Sequence, residues 1–327
     1  MRKLFIFVLF LFGCSFEKYS RVEVSSNDIA AIKELEKPSE KNSDEGIYSN
    51  GVKEAVSNKN APVHPDMPKA FQLMPHKAIY EIKLNPQKKL NDPTISNITG
   101  TGNIELIKTK EGWSYKLNLE VCIHYNDGTS TTIEKNIATW ESPTEVSFYI
   151  ENVNISSGEA EATNNAPEKS ILQGGAELTE EKGWRVYFQK PEQDGFITNY
   201  NLDFPIGHLE KILHSIESKE TTQKILSDQI VFDAAYEMQE PVRINSTITP
   251  CKEKKAHVKE DLLPSNKLWR VQESIYNLNS QSLEADYEGS AIEIFSTGII
   301  NTMETSWETA YGNIPVTLTL KELTVYE

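Results

Sequence analysis

Patterns that hold a metal or a cofactor are missing from this sequence. Three cysteines and six histidines among 327 residues never fall as Cys-x-x-Cys or His-x-x-x-His, the spacings that bring two ligands to one metal. No serine sits in a Gly-x-Ser-x-Gly elbow. Gly100 and Gly102 lead into a strand pattern rather than the helix that a phosphate cradle requires. The reading is a chain with no catalytic residue, no cofactor and no metal site. Positive charge is scarce too: 33 Lys and Arg against 48 Asp and Glu give a net charge of -15. Such a chain is repelled by nucleic acid and by anionic lipid surfaces alike. Apolar residues make up 38%, enough for a core but low for a compact enzyme, so part of the chain is expected to stay unpacked.

Leu4 to Phe12 is an apolar run too short to span a bilayer. Preceded by Met1-Arg2-Lys3, it has the charged start and short apolar middle of an export signal. The segment Leu11-Phe12-Gly13-Cys14-Ser15 resembles a bacterial lipobox, in which cleavage precedes a cysteine that carries a diacylglyceryl group. A signal peptide over 1–13 and lipidation of Cys14 are therefore expected. The product would be a periplasmic protein anchored to a membrane by more than one acyl chain, as stable attachment requires. Ser15 is not the aspartate of an inner-membrane retention signal, which favours the outer membrane. Residues 14–69 are charged, rich in Asn and Ser and poor in aromatics. They cannot bury enough apolar surface to offset ordering, and they read as a disordered tether. A short helical patch from Asp28 to Glu36 has no evident partner.

The organising stretch is Trp113 to Tyr125, where every odd position is apolar or aromatic and every even one is Ser, Lys, Asn, Glu, Cys or His. That is the period of a strand with one face buried. Around it the same period predicts strands from Pro75 to Leu84, through Ile104 and Leu106, and from Thr129 to Lys135 after the Asn126-Asp127-Gly128 turn. Further strands are predicted at 146–150, 170–172, 184–188, 229–233, 242–248, 269–276, 287–296, 299–307 and 316–321. Polar loops are expected over 156–168 and 252–261. One helix follows Asp203-Phe204-Pro205, with Leu209, Ile212, Leu213 and Ile216 at i, i+3, i+4 and i+7. The fold class is all-β, with consecutive antiparallel strands wrapped as a barrel or a strongly curved sheet and one amphipathic helix packed on it.

In order, Pro75-His76-Lys77-Ala78-Ile79-Tyr80, Gly112-Trp113, Thr139-Trp140-Glu141-Ser142, Phe204-Pro205 with His208, Val231-Phe232-Asp233-Ala234, Trp269 with Ser274 and Tyr276, Asp286-Tyr287-Glu288 and Gly298 resemble the EipB-like cell-envelope integrity family of α-proteobacteria. The likeness runs from Leu73 to Tyr326 and makes 70–327 one domain. It implies an exported β-spiral, an incomplete barrel that maintains the envelope with no established catalytic activity. Members of that family join a cysteine before the Gly-Tyr or Gly-Trp of the third strand to one near the C-terminus. Here Lys110 and Glu111 precede Gly112 and the chain closes on Tyr326-Glu327, so both halves of the implied bridge are missing together.

Beyond Cys14, Cys122 and Cys251 form an even pair. They bridge only if their Cα atoms approach within roughly 7 Å, which leaves a disulfide and two free thiols both open. His208 and His214, at i and i+6 on the helix, do not share a ligand-binding face, and His208 reads as a cap or packing residue. Glu120, Glu141, Asp233 and Glu288 could act as acid and base only if folding gathers them. Trp113, Tyr115, Trp184, Trp269 and Trp307 are expected in the core. The leading function is a non-enzymatic binding or scaffolding lipoprotein with a periplasmic protein partner. The alternative is a lipid or lipoprotein carrier, with an acyl chain or peptide in an apolar groove of the curved sheet.

Overall fold

The computed structural model describes residues 72–326, apart from 89, 91–92, 158–167, 182, 199–200, 218–224, 235–239, 252–257, 259–262, 264–266, 279–283, 286 and 310–311. The leader, Cys14, the tether, the 28–36 patch and most of the two expected polar loops lie outside the described residues.

Fourteen strands form one antiparallel sheet. The chain starts in its middle with β1 (His76–Leu84) and moves outward through β2 (Ile95–Lys108), β3 (Trp113–Tyr125), β4 (Ser130–Glu141), β5 (Glu145–Ser157), β6 (Glu168–Leu178), β7 (Trp184–Lys190) and β8 (Gln193–Ile197). Helix α1 (Pro205–Glu217) then crosses to the other edge, where β9 (Ile225–Val231) begins. The return runs through β10 (Val242–Pro250), β11 (Leu268–Asn277), β12 (Tyr287–Phe295), β13 (Ile300–Thr309) and β14 (Gly312–Val325). β14 pairs with β1, so the two meanders are sewn together at the centre, and β8 and β9 are the free ends of a sheet that never closes. The first and last strands lie side by side, with Tyr326 N–H donating to Pro75 O at 3.0 Å.

β3 has the predicted bounds and alternation, from Trp113 through Ile123 buried at each odd position. β2, β4, β5 and β6 run longer than their periodic cores, because ladder pairing extends into polar ends that the pattern does not mark. β8 is an addition to the predicted set: Phe196 pairs with Val186 and Ile197 with Arg185. The β3–β4 turn places Gly128 at φ +86°, as an Asp-Gly hairpin requires.

The curvature follows from what touches α1. Trp113 of β3 donates to Glu210, and Glu141 of β4 accepts from the first turn of α1. On the opposite flank His208 meets Glu273 of β11. Since β4 and β11 are far apart in the strand order, the sheet has to curl round the helix. Its buried side chains Ile206, Leu209, Ile212, Leu213 and Ile216 fill the enclosed space. Between them and Val271, Ile292, Ile294 and Ile300 remains a void of ≈10 Å³, at most about one water in size.

The two free edges converge on aromatic rings rather than on backbone pairing. Phe232, just past β9, lies 5.4 Å from the Phe196 ring of β8 and 6.2–6.3 Å from Phe148, Phe188 and Phe204. These offset and edge-on contacts add to simple area burial. Order begins slightly before the expected Pro75: Leu73 is buried against Gly298, whose φ of +83° and missing side chain admit it. Phe232→Ala is expected to cost about 3–5 kcal/mol in urea unfolding. Ile197→Ala, at a side chain 63% exposed, is expected to change stability by less than about 0.5 kcal/mol.

Candidate functional site

Most of the buried polar groups that could do chemistry gather round the first two turns of α1. Pro205 opens the helix, where its missing N–H costs nothing. The next two N–H groups have no acceptor within the helix. They find one in Glu141, at the end of β4: Ile206 N–H lies 3.1 Å from both carboxylate oxygens and Gly207 N–H 3.2 Å from one. The cap is thus supplied by a distant strand rather than by the local sequence. Asp203, the nearest local acid, instead pairs with Lys211 at 2.5 Å and bridges to the edge of β9.

Glu141 is buried, and burial pushes its carboxyl up to about 8. The α1 N–H groups oppose that rise, and the neighbouring charges of Asp233 and Glu210 add to it. Tyr115 sits in the same region, its phenol held well above its ordinary range by burial, with Tyr80 and Asp233 contributing. Its hydroxyl and that of Thr139, its register partner on β4, have no hydrogen-bond partner among the described residues. Two of the four sequence-flagged carboxylates, Glu141 and Asp233, are therefore brought into electrostatic contact. The others are not. Glu120 is exposed on the outer face of β3, opposite Glu134, and the Glu288 side chain lies outside the described residues.

His208 is buried on the other flank of α1. Its Nδ1 meets Gln229 Oε1 of β9, and its Nε2 lies 3.2 Å from Glu273 Oε1 of β11. Gln229 Oε1 accepts, so Nδ1 carries a proton, and the second contact needs another proton on Nε2 or on Glu273. Ser290 donates to the remaining Glu273 oxygen at 3.3 Å. This is a chain through a carboxylate, not a nucleophile–base–acid order, because the acid stands between serine and imidazole. His208 thus anchors the helix, in line with its reading as a packing residue, while His214 is exposed. Gln229 and Glu273 gave no signal in the sequence beyond their position on inward faces of strands.

Cys122 and Cys251 are both free thiols, and the bridge that spacing left open is not formed. Cys122 is on the polar outer face of β3, beside His124 at 4.0 Å, whereas Cys251 follows β10 and packs against the core. Six strands separate β3 from β10 in the sheet, and burial pushes the Cys251 thiol up to about 11. Trp113, Tyr115, Trp184 and Trp269 are core residues as expected; the Trp307 side chain lies outside the described residues. Among the described residues no group of three His, Cys, Asp or Glu is placed to hold a metal ion. An outer groove of ≈340 Å³, lined by Glu81, Lys83, Asn85, Gln87, Glu304 and Thr317, has acids already paired. Glu81 holds Lys83 and Lys321, and Glu304 holds Arg270.

An unclosed sheet curled round its own crossover helix defines the barrel-like class of all-β domains. Within that class the chain belongs to the EipB-like family, whose profile matches residues 68–327. Among solved structures it is similar to a β-barrel-like protein of a domain of unknown function from Brucella abortus, with a TM-score of 0.62 at 17% identity over 79% of this chain and 100% of that one. At that identity the likeness concerns the fold alone. No curated protein matches the chain.

The Glu141 carboxyl yields a signed pH prediction. Its folded value of about 8 lies above the ordinary 4.5, so the folded state holds the proton more tightly. The stability this contributes is complete below about pH 4.5 and is lost as pH rises through about 8. Melting temperature is expected to fall between pH 5 and pH 8.5, and Glu141→Gln, which keeps the neutral shape, is expected to flatten that fall. A wild-type slope retained in the variant would assign it to another group.

Proposed function

We propose that this EipB-like protein maintains the cell envelope as a non-enzymatic binding or scaffolding module, held in the periplasm by lipid on Cys14 with the outer membrane as its anchor. The observation that carries this reading is where the ionisable groups sit. Glu141, Asp233, His208 and Glu273 are buried, and the contacts of Glu141, His208 and Glu273 go to α1 and the sheet rather than into an open cleft. A catalyst needs convergent groups that a substrate can reach, whereas these groups are spent on holding the helix. The export signal and lipobox-like Cys14 supply the address, and family membership supports an envelope setting. The carrier reading loses ground because α1 occupies the space that an acyl chain would need. What remains for a protein partner is the polar outer surface, consistent with a scaffold.

Cys14→Ser is expected to move the protein from the membrane fraction to the soluble periplasm, with unchanged fractionation counting against the anchor. In a deletion strain under detergent stress, Glu120→Gln and Glu141→Gln are expected to complement at normal protein levels. Leu119→Asp, which places an unpaired charge on the buried face of β3, should fail through loss of fold. A polar variant that accumulates and melts normally yet does not complement would overturn the non-catalytic reading.

A further inference from the structure

One level of the interior is polar across four successive strands. Ser227 of β9 stands opposite Ser246 of β10, and Ser246 stands opposite Glu273 of β11. Ser290 of β12 ends the row by donating to Glu273 Oε2 at 3.3 Å. Over this row α1 lays His208, 3.2 Å from Glu273 Oε1, and Gln229 Nε2 donates to Ser227 Oγ at 2.9 Å. Ser246 is 1% exposed, Glu273 2% and Ser290 0%.

The hydrogen bonding of this row is incomplete at two facing points. The Ser246 hydroxyl, one donor with two acceptor positions, has no hydrogen-bond partner among the described residues. The Glu273 carboxylate has roughly four acceptor positions, and its contacts are those with His208 and Ser290. A buried hydroxyl left unpaired is costly, and polar groups that face each other beyond direct reach are commonly joined by an ordered water. The donor set is all oxygen, with a single carboxylate already bonded to an imidazole, which suits a neutral ligand that both donates and accepts. Ser227, half-buried on edge strand β9, connects the row to solvent.

We propose that one ordered water occupies this row, bonded to Ser246 Oγ and Glu273 and within reach of Ser227, and that it completes the seat of α1. The water adds a fixed ligand to the interior, distinct from any surface partner.

The sign of one substitution tests it. In the full-length protein, Ser246→Ala removes a partner from the bound water and is expected to lower the melting temperature by about 2–4 °C. A bare, unpaired hydroxyl would give the opposite result, since deleting it relieves a penalty; an unchanged or raised melting temperature overturns the proposal. Water-¹⁷O relaxation dispersion gives a second readout: Ser246→Val fills the position and is expected to reduce the long-lived waters by one, and an unchanged number in a folded variant counts against the site. Wild-type melting is expected to be the same in lithium, sodium and potassium chloride at equal ionic strength. Dependence on the cation would assign the row to a metal ion and overturn the water.

Discussion

The constraint on which this structure depends is that its sheet has two free edges and one helix to reconcile them. β8 and β9 are not hydrogen-bonded to each other, so the barrel cannot be held shut by a backbone ladder. The closure is made instead by α1, which carries the chain from one edge to the other through the interior, and by the rings that meet at Phe232. Exposed sheet edges invite pairing with other chains. Here the C-terminal end of the β9 edge is bridged by the Asp203 backbone, which accepts from Phe232 N–H and donates to Ile230 O.

Seating a helix inside a sheet creates a polar problem at its N-terminus, where N–H groups lack acceptors. The chain solves it with Glu141, and the solution puts Asp233 and Glu210 within electrostatic reach of that buried carboxyl. On the other flank His208, Gln229 and Glu273 tie α1 to β9 and β11. A buried polar network whose groups are hydrogen-bonded rigidifies the elements it joins. An apolar stripe alone would let α1 slide or rotate along the sheet; the bonds at both flanks set its register. Perturbed carboxylates often mark active sites, though structural networks perturb them as well. In this molecule the geometry explains the perturbation without a substrate.

A protein organised in this way presents its chemistry inward and its polar strand faces outward. The outer face of β1, β13 and β14 carries Glu81, Lys83, Lys321, Glu304 and Thr317; Glu81 pairs with Lys83 along β1 and with Lys321 of β14, and Glu304 pairs with Arg270 of β11. Such pairs are worth little to stability in water.

The sequence by itself determined the fold class, most strand positions and the single helix, because each depends on alternation or helical spacing that a buried face imposes locally. Trp113 to Tyr125 is the clearest case, matching β3 end to end. It also carried the family resemblance, which the 68–327 match bears out. That resemblance implied the incomplete barrel, and the sheet is indeed open; only the tertiary structure decided that α1 fills it and that Cys122 and Cys251 remain apart. The same holds for the gathering of Glu141 with Asp233 and of His208 with Gln229 and Glu273. Each partner sits on a different element, and a single carboxylate or amide in a strand looks the same in sequence whether it faces solvent or a helix end. Lys135 makes the point: between Ile133 and Ile137 it is an ordinary interruption of the pattern, yet it is 1% exposed. Periodicity reports which face is buried; what lies across the buried face is set by curvature and by a crossover that brings distant strands together.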